Sequence, residues 1–434
     1  MDIAPMRFVS TRGQVEPTTL SQAISAGLAP DGGLFVPERL PQLQPGDFAG
    51  QTDLATIATT LLRPFFRDDA LASALPEICA EAFNFPAPLR QLDASHGLLE
   101  LFHGPTAAFK DFGARFLAAC IKRLHEHAQT PLTILVATSG DTGAAVGGAF
   151  HGIDGIRVVI LYPDGRVSPR QAHQLGAFGG NVQALRVAGS FDDCQALVKR
   201  ALNDADLQRQ VPLSSANSIS LGRLLPQMSY YATAALEHWR NHGQPLDFAI
   251  PTGNLGNALA CILARTIGLP IGDILLATNA NDVLPQFFAG DTYQPRASVT
   301  TLANAMDVGA PSNFERLTWL FPDAQDLRAR FHAIRVDDAT IQTTIQKVWT
   351  RYGVPICPHT ATAFNAVEQL GPSQKYWAIA ATAHPAKFET IVEPLIGQTV
   401  TPPPALAELL ARPSQAEPIA ADYDALLRRL QKSG

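Results

Sequence analysis

The sequence is poor in cysteine, and its cysteines are scattered. Among 434 residues there are five, and no two are spaced as CxxC; they are Cys79, Cys120, Cys194, Cys261 and Cys357. This spacing argues against both a disulfide framework and a zinc site. Unpaired cysteines fit a protein of a reducing compartment.

Long apolar runs and an excess of positive charge are also missing. No run is long enough to span a bilayer, and the N-terminal stretch MDIAPMRFVSTRG has no apolar signal core. The net charge is -6 and the pI is about 6.0, which argues against nucleic acid as the main partner. We therefore expect a soluble cytoplasmic protein that binds neither membrane nor nucleic acid.

The motifs of several enzyme classes do not occur. The chain has neither a GxxxxGK[ST] loop nor a GxGxxG fingerprint, so a nucleotide-binding α/β protein would lack its phosphate loop. The absence of GxSxG argues against an α/β-hydrolase. Because HExxH and EF-hand loops are missing too, the sequence predicts no catalytic metal.

What the chain does have is ample material for buried cores. Hydrophobic residues make up 46% and charged residues 17%, and 434 residues predict two or three domains. From Leu98 onward, short apolar runs rich in β-branched residues alternate with helical patterns, and a second series of this kind starts at Asp247. This alternation predicts an α/β fold with two parallel-sheet domains.

The predicted organisation has four parts. Residues 1–95 form a small mixed N-terminal region, residues 96–245 and 246–400 form the two α/β domains, and residues 401–434 form a C-terminal tail. The tail combines a proline-rich connector with a short helix. Residues 290–312 show little periodicity and are predicted to form a long loop.

The most unusual local stretch is HGPTAAFKDFGARF, with Lys110 at its centre. Two phenylalanines, Phe109 and Phe112, flank this lysine closely. Aromatic surroundings desolvate an ammonium, favour the free amine and make it a better nucleophile. Such an amine can form a Schiff base with an aldehyde, and pyridoxal phosphate is the usual aldehyde cofactor. A lysine that snorkels at the start of a helix is the alternative reading of this stretch.

Two glycine-rich turns follow predicted strands. TSGDTG occupies residues 138–143 and TGNLGN occupies residues 252–257. In a parallel α/β sheet such turns lie at the carboxyl ends of the strands, where ligands bind. Glycines allow close approach of the backbone, and free N–H groups with the helix dipole favour an anion. The two turns therefore predict binding sites for phosphate or carboxylate, although glycine turns can also merely connect elements.

Two further motifs offer polar side chains. TAHPAKF, which ends a predicted strand, brings the hydroxyl of Thr382 and the charges of His384 and Lys387. NSISLGR resembles a helix cap at Asn217 and Ser218, and Arg223 can act as a planar clamp for a phosphate. A plain strand-end turn and a surface arginine remain the alternatives.

Taken in order, these motifs resemble those of a known enzyme family. GPTAAFKDFG, TSGDTG, NSISLGR, GNLGN, MDVGAPSNFER and TAHPAKF are similar to motifs of the threonine synthases, in particular the longer bacterial and fungal type, and APDGGLFVPE resembles their N-terminal region. The likeness covers about residues 10–396. It implies the tryptophan-synthase-β-like fold with pyridoxal phosphate between two α/β domains. It also implies conversion of O-phosphohomoserine and water to threonine and phosphate.

The resemblance assigns roles to individual residues of this chain. Lys110 would bind pyridoxal phosphate covalently and act as the base. Thr382 would form a hydrogen bond with the pyridine nitrogen. The cofactor phosphate would be held by Gly253, Asn254, Leu255, Gly256 and Asn257. The substrate carboxylate would lie near Ser139, Asp141 and Thr142. Candidates for the substrate phosphate are Asn217, Ser218, Arg223 and Lys387. Cys357 departs from the family, which more often has an acidic residue there.

Two alternatives keep the same motifs. A related lyase, either a dehydratase or a phospholyase, would give 2-oxobutyrate from the same cofactor site. A non-catalytic binding protein could retain the fold, although the intact Lys110 argues against it. In every case the expected partner is a small molecule, and the expected assembly is a monomer or a homodimer.

Overall fold

A computed structural model describes residues 5–126, 128, 130–371 and 375–431 of the chain. The ends of the predicted N-terminal and C-terminal parts, residues 1–4 and 432–434, lie outside this range. The strands of the described residues are β1 Phe8–Ser10, β2 Phe35–Pro37, β3 Leu89–Gln91, β4 His96–Glu100, β5 Leu132–Ala137, β6 Ile156–Pro163, β7 Val182–Ala188, β8 Leu213–Ser215, β9 Leu246–Pro251, β10 Ile271–Thr278, β11 His332–Arg335, β12 Trp377–Ala381 and β13 Glu417–Ala420.

Helices separate most of these strands. The α-helices are α1 Leu20–Ala26, α2 Leu54–Leu62, α3 Leu75–Ala82, α4 Lys110–His125, α5 Asp141–Phe150, α6 Pro169–Gly176, α7 Phe191–Asn203, α8 Ala205–Gln210, α9 Leu221–Leu224, α10 Met228–His242, α11 Gly256–Thr266, α12 Val283–Ala289, α13 Phe314–Leu320, α14 Ala324–Arg330, α15 Asp338–Tyr352, α16 Pro358–Gln369, α17 Glu389–Ile396, α18 Pro404–Ala411 and α19 Tyr423–Gln431. Short 3₁₀ turns cover Pro45–Phe48, Arg63–Phe66, Leu225–Gln227, Asn304–Met306 and Pro385–Phe388. None of the described helices combines the length and the apolar character that a bilayer crossing needs.

The strands form two larger sheets and one small ribbon. The five-stranded sheet has the order β13-β7-β6-β5-β8 and is parallel throughout. The six-stranded sheet has the order β11-β10-β9-β12-β4-β3, and only its edge strand β3 is antiparallel to its neighbour. Strands β1 and β2 form an antiparallel pair in the N-terminal region. The predicted α/β class with two mainly parallel sheets is confirmed.

Sheet pairing cuts across the predicted boundaries. Strand β4, which was expected in the second part, pairs with β12, so that Leu98 lies opposite Ile379. Strand β13 of the predicted tail extends the first sheet, where Ile419 lies opposite Val187. Burial of its apolar side chains determines which strand a short apolar strand pairs with. Its position in the sequence does not specify which sheet edge it joins. The tail is therefore an integral part of the first sheet rather than a separate connector.

Buried side chains fill both faces of each sheet. Helices α15, α16 and α17 cover one face of the six-stranded sheet, and α7 with α19 covers the outer face of the five-stranded sheet. A large central cluster joins the inner faces to α4, α10 and the N-terminal region. Parallel strands buried on both faces explain the near-continuous apolar runs of β5, β6 and β9. The carboxyl ends of β5 and β9 border one shared cavity.

Candidate active site

A tight turn places Lys110 at the first position of α4. Ala107 adopts a left-handed conformation with φ 57°, which is strained for a residue with a side chain. The carboxylate of Asp111 braces the turn, because it accepts hydrogen bonds from the backbone N–H of Thr106 at 2.9 Å and from its hydroxyl at 2.6 Å. The turn thereby presents the lysine side chain at a helix N-terminus.

Backbone hydrogen bonds connect the turn before Lys110 to the segment that follows β12. The N–H of Phe109 donates to the carbonyl of Thr382 at 2.8 Å, and the N–H of His384 donates to the carbonyl of Ala107 at 3.0 Å. These two bonds join chain segments more than 270 residues apart. They fix the hydroxyl-bearing Thr382 beside the turn before Lys110.

The surroundings of Lys110 favour its neutral amine. Its Nζ lies 5.1 Å from the centroid of the Phe109 ring. Desolvation lowers the pKa of Lys110 to about 8; the charges of Arg223 and Lys387 reinforce this and the carboxylate of Asp141 opposes it. The positive end of the α4 dipole acts in the same direction as the desolvation. Phe112, the other flanking aromatic, instead packs on Phe85 and Tyr230 in the core.

The turn after β9, residues 252–257, forms what we call the cradle. Leu255 is buried yet left-handed, with φ 62°. A Cβ at Gly253 would lie 2.8 Å from the Cα of Met306, so only glycine permits this approach of the 290–312 loop. Among the described residues, the N–H groups of Gly253, Asn254 and Leu255 donate to no protein acceptor. With the N-terminus of α11 beside them, they can bind an anion.

Asn257, the last residue of the cradle, carries an unpaired donor. Its Oδ1 accepts hydrogen bonds from the hydroxyls of Tyr230 and Tyr231. This fixes the orientation of the amide, and Nδ2 is left buried without a partner among the residues that the structure describes. A buried donor that the fold leaves unpaired is the expected mark of a ligand contact.

The second glycine turn, after β5, leads into α5. The hydroxyl of Thr138 accepts hydrogen bonds from the N–H groups of Gly140 and Gly143, both at 2.9 Å. Ser139 and Thr142 face the same cavity as Lys110. Although burial alone would raise it, the pKa of the Asp141 carboxyl is held well below its usual range by the nearby charges of Lys387 and Lys110.

Arg223 lies beside the lysine helix. Gly113 of α4 lets α9 approach, because a Cβ there would lie 2.7 Å from the carbonyl oxygen of Arg223. The guanidinium donates to the carbonyl of Ala216 at 2.7 Å, while its buried Nε has no partner in the described part of the chain. Burial lowers the pKa of Arg223 to about 10, so it is still charged at neutral pH. Ser218 accepts a hydrogen bond from the amide of Asn254, which links this segment to the cradle.

One cavity of about 720 Å³ collects nearly all the residues that the sequence singled out. It is lined by Lys110, Ser139, Asp141, Thr142, Asn217, Ser218, Arg223, Gly253, Asn254, Leu255, Gly256, Asn257 and Thr382. Lys387 does not line it. Its ammonium is buried outside the lining and donates to the carbonyl of Thr106 at 2.8 Å, and it pairs with Asp141. The ammonium of Lys387 is thus already engaged by Asp141 and by the carbonyl of Thr106.

Sequence reasoning missed several side chains around the cavity. His359 accepts a hydrogen bond from the N–H of Ala305 at 3.1 Å, and burial lowers its pKa to about 4, so it is neutral. Asn313 and Arg316 lie behind the cradle. The signals were present, since His359 follows Cys357 in CPHTATAF and the other two belong to SNFER. Within the described residues, His, Cys, Asp and Glu form no group that could hold a metal ion.

Three sequence profiles match consecutive parts of the chain. A profile described as "Threonine synthase N terminus" matches residues 7–83, one described as "Pyridoxal-phosphate dependent enzyme" matches residues 84–380, and one described as "Threonine synthase, C-terminal" matches residues 360–428. Together they account for nearly the whole sequence.

Full-length relatives agree with the profiles. The chain is 40% identical to the threonine synthase of Escherichia coli strain K12 over 424 residues, which cover 97% of this chain and 98% of that protein. Its fold matches the crystal structure of threonine synthase from Escherichia coli with a TM-score of 0.92, at 38% identity and covering 99% of this chain and 100% of the other. It also matches the structure of PLP-bound threonine synthase from Brucella melitensis with a TM-score of 0.89, at 34% identity and covering 98% and 99%.

Proposed function

The chain belongs to the threonine synthase family of pyridoxal-phosphate-dependent enzymes, and we propose that it uses the cavity around Lys110 to convert O-phospho-L-homoserine and water into L-threonine and phosphate. It is a lyase of threonine biosynthesis with pyridoxal phosphate as its cofactor. One observation carries the choice of site: the amine of Lys110, the hydroxyl-bearing Thr382 and the unpaired donors of the cradle all face the same cavity.

The residues around this cavity fit the cofactor. Its phosphate needs several donors, which the free N–H groups of the cradle, the N-terminus of α11 and the unpartnered Nδ2 of Asn257 supply. Its aldehyde needs a neutral amine, which the lowered pKa of Lys110 provides. The hydroxyl of Thr382 suits the pyridine nitrogen.

The chemistry is divided between cofactor and protein. When bound, pyridoxal phosphate withdraws electrons and stabilises the carbanions that proton removal from the substrate creates. Lys110 removes the proton from the substrate Cα, and further proton transfer at Cβ allows phosphate to leave from Cγ. Water then adds at Cβ, and Cα and Cγ regain protons. A lysine that is half deprotonated near pH 8 can both accept and return these protons.

The remaining polar residues hold the substrate. We assign the substrate carboxylate to the hydroxyls of Ser139 and Thr142 with the N-terminus of α5 around Asp141, since a carboxylate favours that end of a helix. We assign the substrate phosphate to Arg223, whose unpaired Nε offers a charged donor, with Asn217 and Ser218 beside it. Lys387 is left out of this set because Asp141 already neutralises it.

We also propose a location, a class of partner and an oligomeric state for the enzyme. All five cysteines are free and buried, which supports work in a reducing cytoplasm. The partner is a small molecule, and we propose no nucleic-acid or membrane partner. We expect a monomer or a homodimer, which the apparent mass in solution would decide.

A product assay tests the proposed reaction. The purified protein, loaded with pyridoxal phosphate, is incubated with O-phosphohomoserine, and phosphate, threonine and 2-oxobutyrate are measured in the same tube. We expect threonine equal to phosphate. Phosphate with 2-oxobutyrate instead would move the chain to the lyase alternative, and cofactor binding without any phosphate release would mean that the substrate is another compound.

A further inference from the structure

Arg316 of α13 is a buried cation that has no carboxylate partner among the described residues. Its side chain is almost completely buried, and it donates to two carbonyls, that of Phe35 at 3.0 Å and that of Ile219 at 2.6 Å. The carboxylate of the neighbouring Glu315 accepts a hydrogen bond from the hydroxyl of Thr11 and forms an ion pair with Arg12. Within the described part of the chain, no carboxylate lies within ion-pair distance of Arg316. Burying an unpaired charge destabilises the folded state. A buried Arg316 without a carboxylate partner therefore suggests a functional role for its charge.

The third bond of the guanidinium fixes an amide behind the cradle. Arg316 donates to Oδ1 of Asn313 at 2.8 Å, and an arginine can only donate. The amide must therefore turn its oxygen toward the guanidinium and its nitrogen away from it. That nitrogen donates to the carbonyl of Asn254 at 3.0 Å and also reaches the carbonyl of Ser218 at 3.4 Å. Arg316 thus decides which end of Asn313 meets the cradle.

This amide sets the direction of one cradle peptide. In a trans peptide the C=O and the following N–H point in opposite directions. When the carbonyl of Asn254 is held by Asn313, the N–H of Leu255 points away from Asn313. That N–H has no protein acceptor, and Leu255 lines the cavity. The same bond helps to maintain the left-handed conformation of Leu255, which is strained for a residue with a Cβ.

We propose that Arg316 is a positioning residue for the cofactor phosphate, acting through Asn313 to aim the N–H of Leu255 and supplying an unneutralised positive charge behind the cradle. The inference rests on the proposed function, because it takes the cradle as the site of that phosphate. It concerns a residue that contacts neither cofactor nor substrate.

The charge is present under working conditions. Burial lowers the pKa of Arg316 only to about 9, so the guanidinium is protonated at neutral pH. In a water-poor interior a fixed positive charge attracts an anion more strongly than at the surface. Together with the N-terminus of α11, it favours the doubly charged form of a bound phosphate.

The test compares two aldehydes that differ only in the phosphate. Full-length protein freed of cofactor is titrated with pyridoxal phosphate and, separately, with pyridoxal, and binding is followed by absorbance. For Arg316→Met we expect the Kd of pyridoxal phosphate to rise by about tenfold or more, while the Kd of pyridoxal stays within about twofold, because its capture by Lys110 needs no cradle. Asn313→Ala, which leaves Arg316 in the core, should weaken the same ligand and serves if the first variant does not fold.

Arg157 offers the matched control. It is a partly buried arginine that, like Arg316, donates to neutral acceptors, among them the carbonyls of Leu430 and Arg429, but it lies away from the cavity. Arg157→Met should reduce thermal stability and leave both Kd values unchanged. Unchanged affinity for pyridoxal phosphate in Arg316→Met and Asn313→Ala, or an equal loss for both aldehydes, would overturn the inference. If the wild-type protein captured neither aldehyde, the proposed function itself would fail.

Discussion

Lys387 Nζ lies 2.8 Å from Asp141 Oδ1, and the two side chains are only 1% and 3% exposed. Both partners make further hydrogen bonds, since Asp141 also accepts from the amide of Gln171 at 2.9 Å and Lys387 also donates to the carbonyl of Thr106. The pair joins the 3₁₀ turn Pro385–Phe388, which follows β12, to the N-terminus of α5. A motif that the sequence assigned to the substrate therefore holds the active-site scaffold together.

Removing one partner of this pair should destabilise the fold strongly. Lys387→Met leaves the Asp141 carboxylate buried and unpaired, and we expect it to lower the free energy of unfolding by about 3–5 kcal/mol. The exposed pair of Lys347 and Glu368 gives the matched control, since Lys347→Met should change it by less than about 1 kcal/mol. Urea denaturation measures the free energy of unfolding of both variants. Equal decreases in the two variants would show that the buried pair stabilises the fold no more than the exposed pair does.

Loss of the active-site amine should abolish turnover. Lys110→Ala removes both the covalent anchor of the cofactor and the base, which alone contributes roughly 10²–10⁴-fold. Lys122→Ala, an exposed lysine on the same helix α4, should retain full activity. Phosphate release from O-phosphohomoserine is the measurement. Near-normal turnover by Lys110→Ala would refute the assignment of the site.

The residue at the end of β12 should control the fate of the reaction. Thr382 offers a neutral hydroxyl, so it does not force a proton onto the pyridine nitrogen as an aspartate would. We expect Thr382→Asp to strengthen the electron sink and to raise the share of abortive products, while Thr382→Ser keeps the wild-type ratio. Chromatography of threonine and the side products measures it, and an identical ratio in all three proteins would contradict this role.

Arg223 should matter for substrate affinity. Its buried Nε lacks a partner within the described residues, and a charge-assisted hydrogen bond to the substrate phosphate would use it. We expect Arg223→Ala to raise the KM for O-phosphohomoserine by about tenfold or more. Because the charge of Arg223 helps to lower the pKa of Lys110, the pH profile should also shift to higher pH. An unchanged KM would remove Arg223 from the substrate site.

Acid should destabilise the protein through His359. Burial lowers its folded pKa to about 4, whereas an unfolded histidine titrates near 6.5. Between these values the unfolded chain binds more protons, so stability falls as the pH drops from about 6.5 to 4, by about 3 kcal/mol in total. His359→Gln should remove this part of the pH dependence, and the exposed His332→Gln should not. Urea denaturation at several pH values compares the slopes; equal slopes in His359→Gln and wild type would contradict the prediction.

The local parts of the site could be predicted from the sequence alone. Lys110 beside Phe109, the glycine turns around Ser139 and Leu255, and Thr382 at a strand end are short motifs whose chemistry depends on their immediate neighbours. Phe112, which the sequence also placed beside the lysine, packs in the core instead. Parallel strands of one sheet bring their carboxyl ends to one edge, which accounts for Thr382 after β12 lying near the cradle after β9. The turn after β5 belongs to the other sheet, and only the family resemblance implied that a cofactor lies between the two domains. The α/β class followed from the alternation of strands and helices.

Only the tertiary structure decided which distant groups meet. Lys387 belongs to a motif that suggested phosphate binding, yet its partner Asp141 lies 246 residues away in the sequence. The bond between Arg316 and the carbonyl of Phe35, and the pairing of β13 with β7, are equally remote. Periodicity and motif spacing predict the secondary structure of one segment. Burial and charge pairing depend on how segments that are distant in the sequence pack together, which the sequence order does not specify.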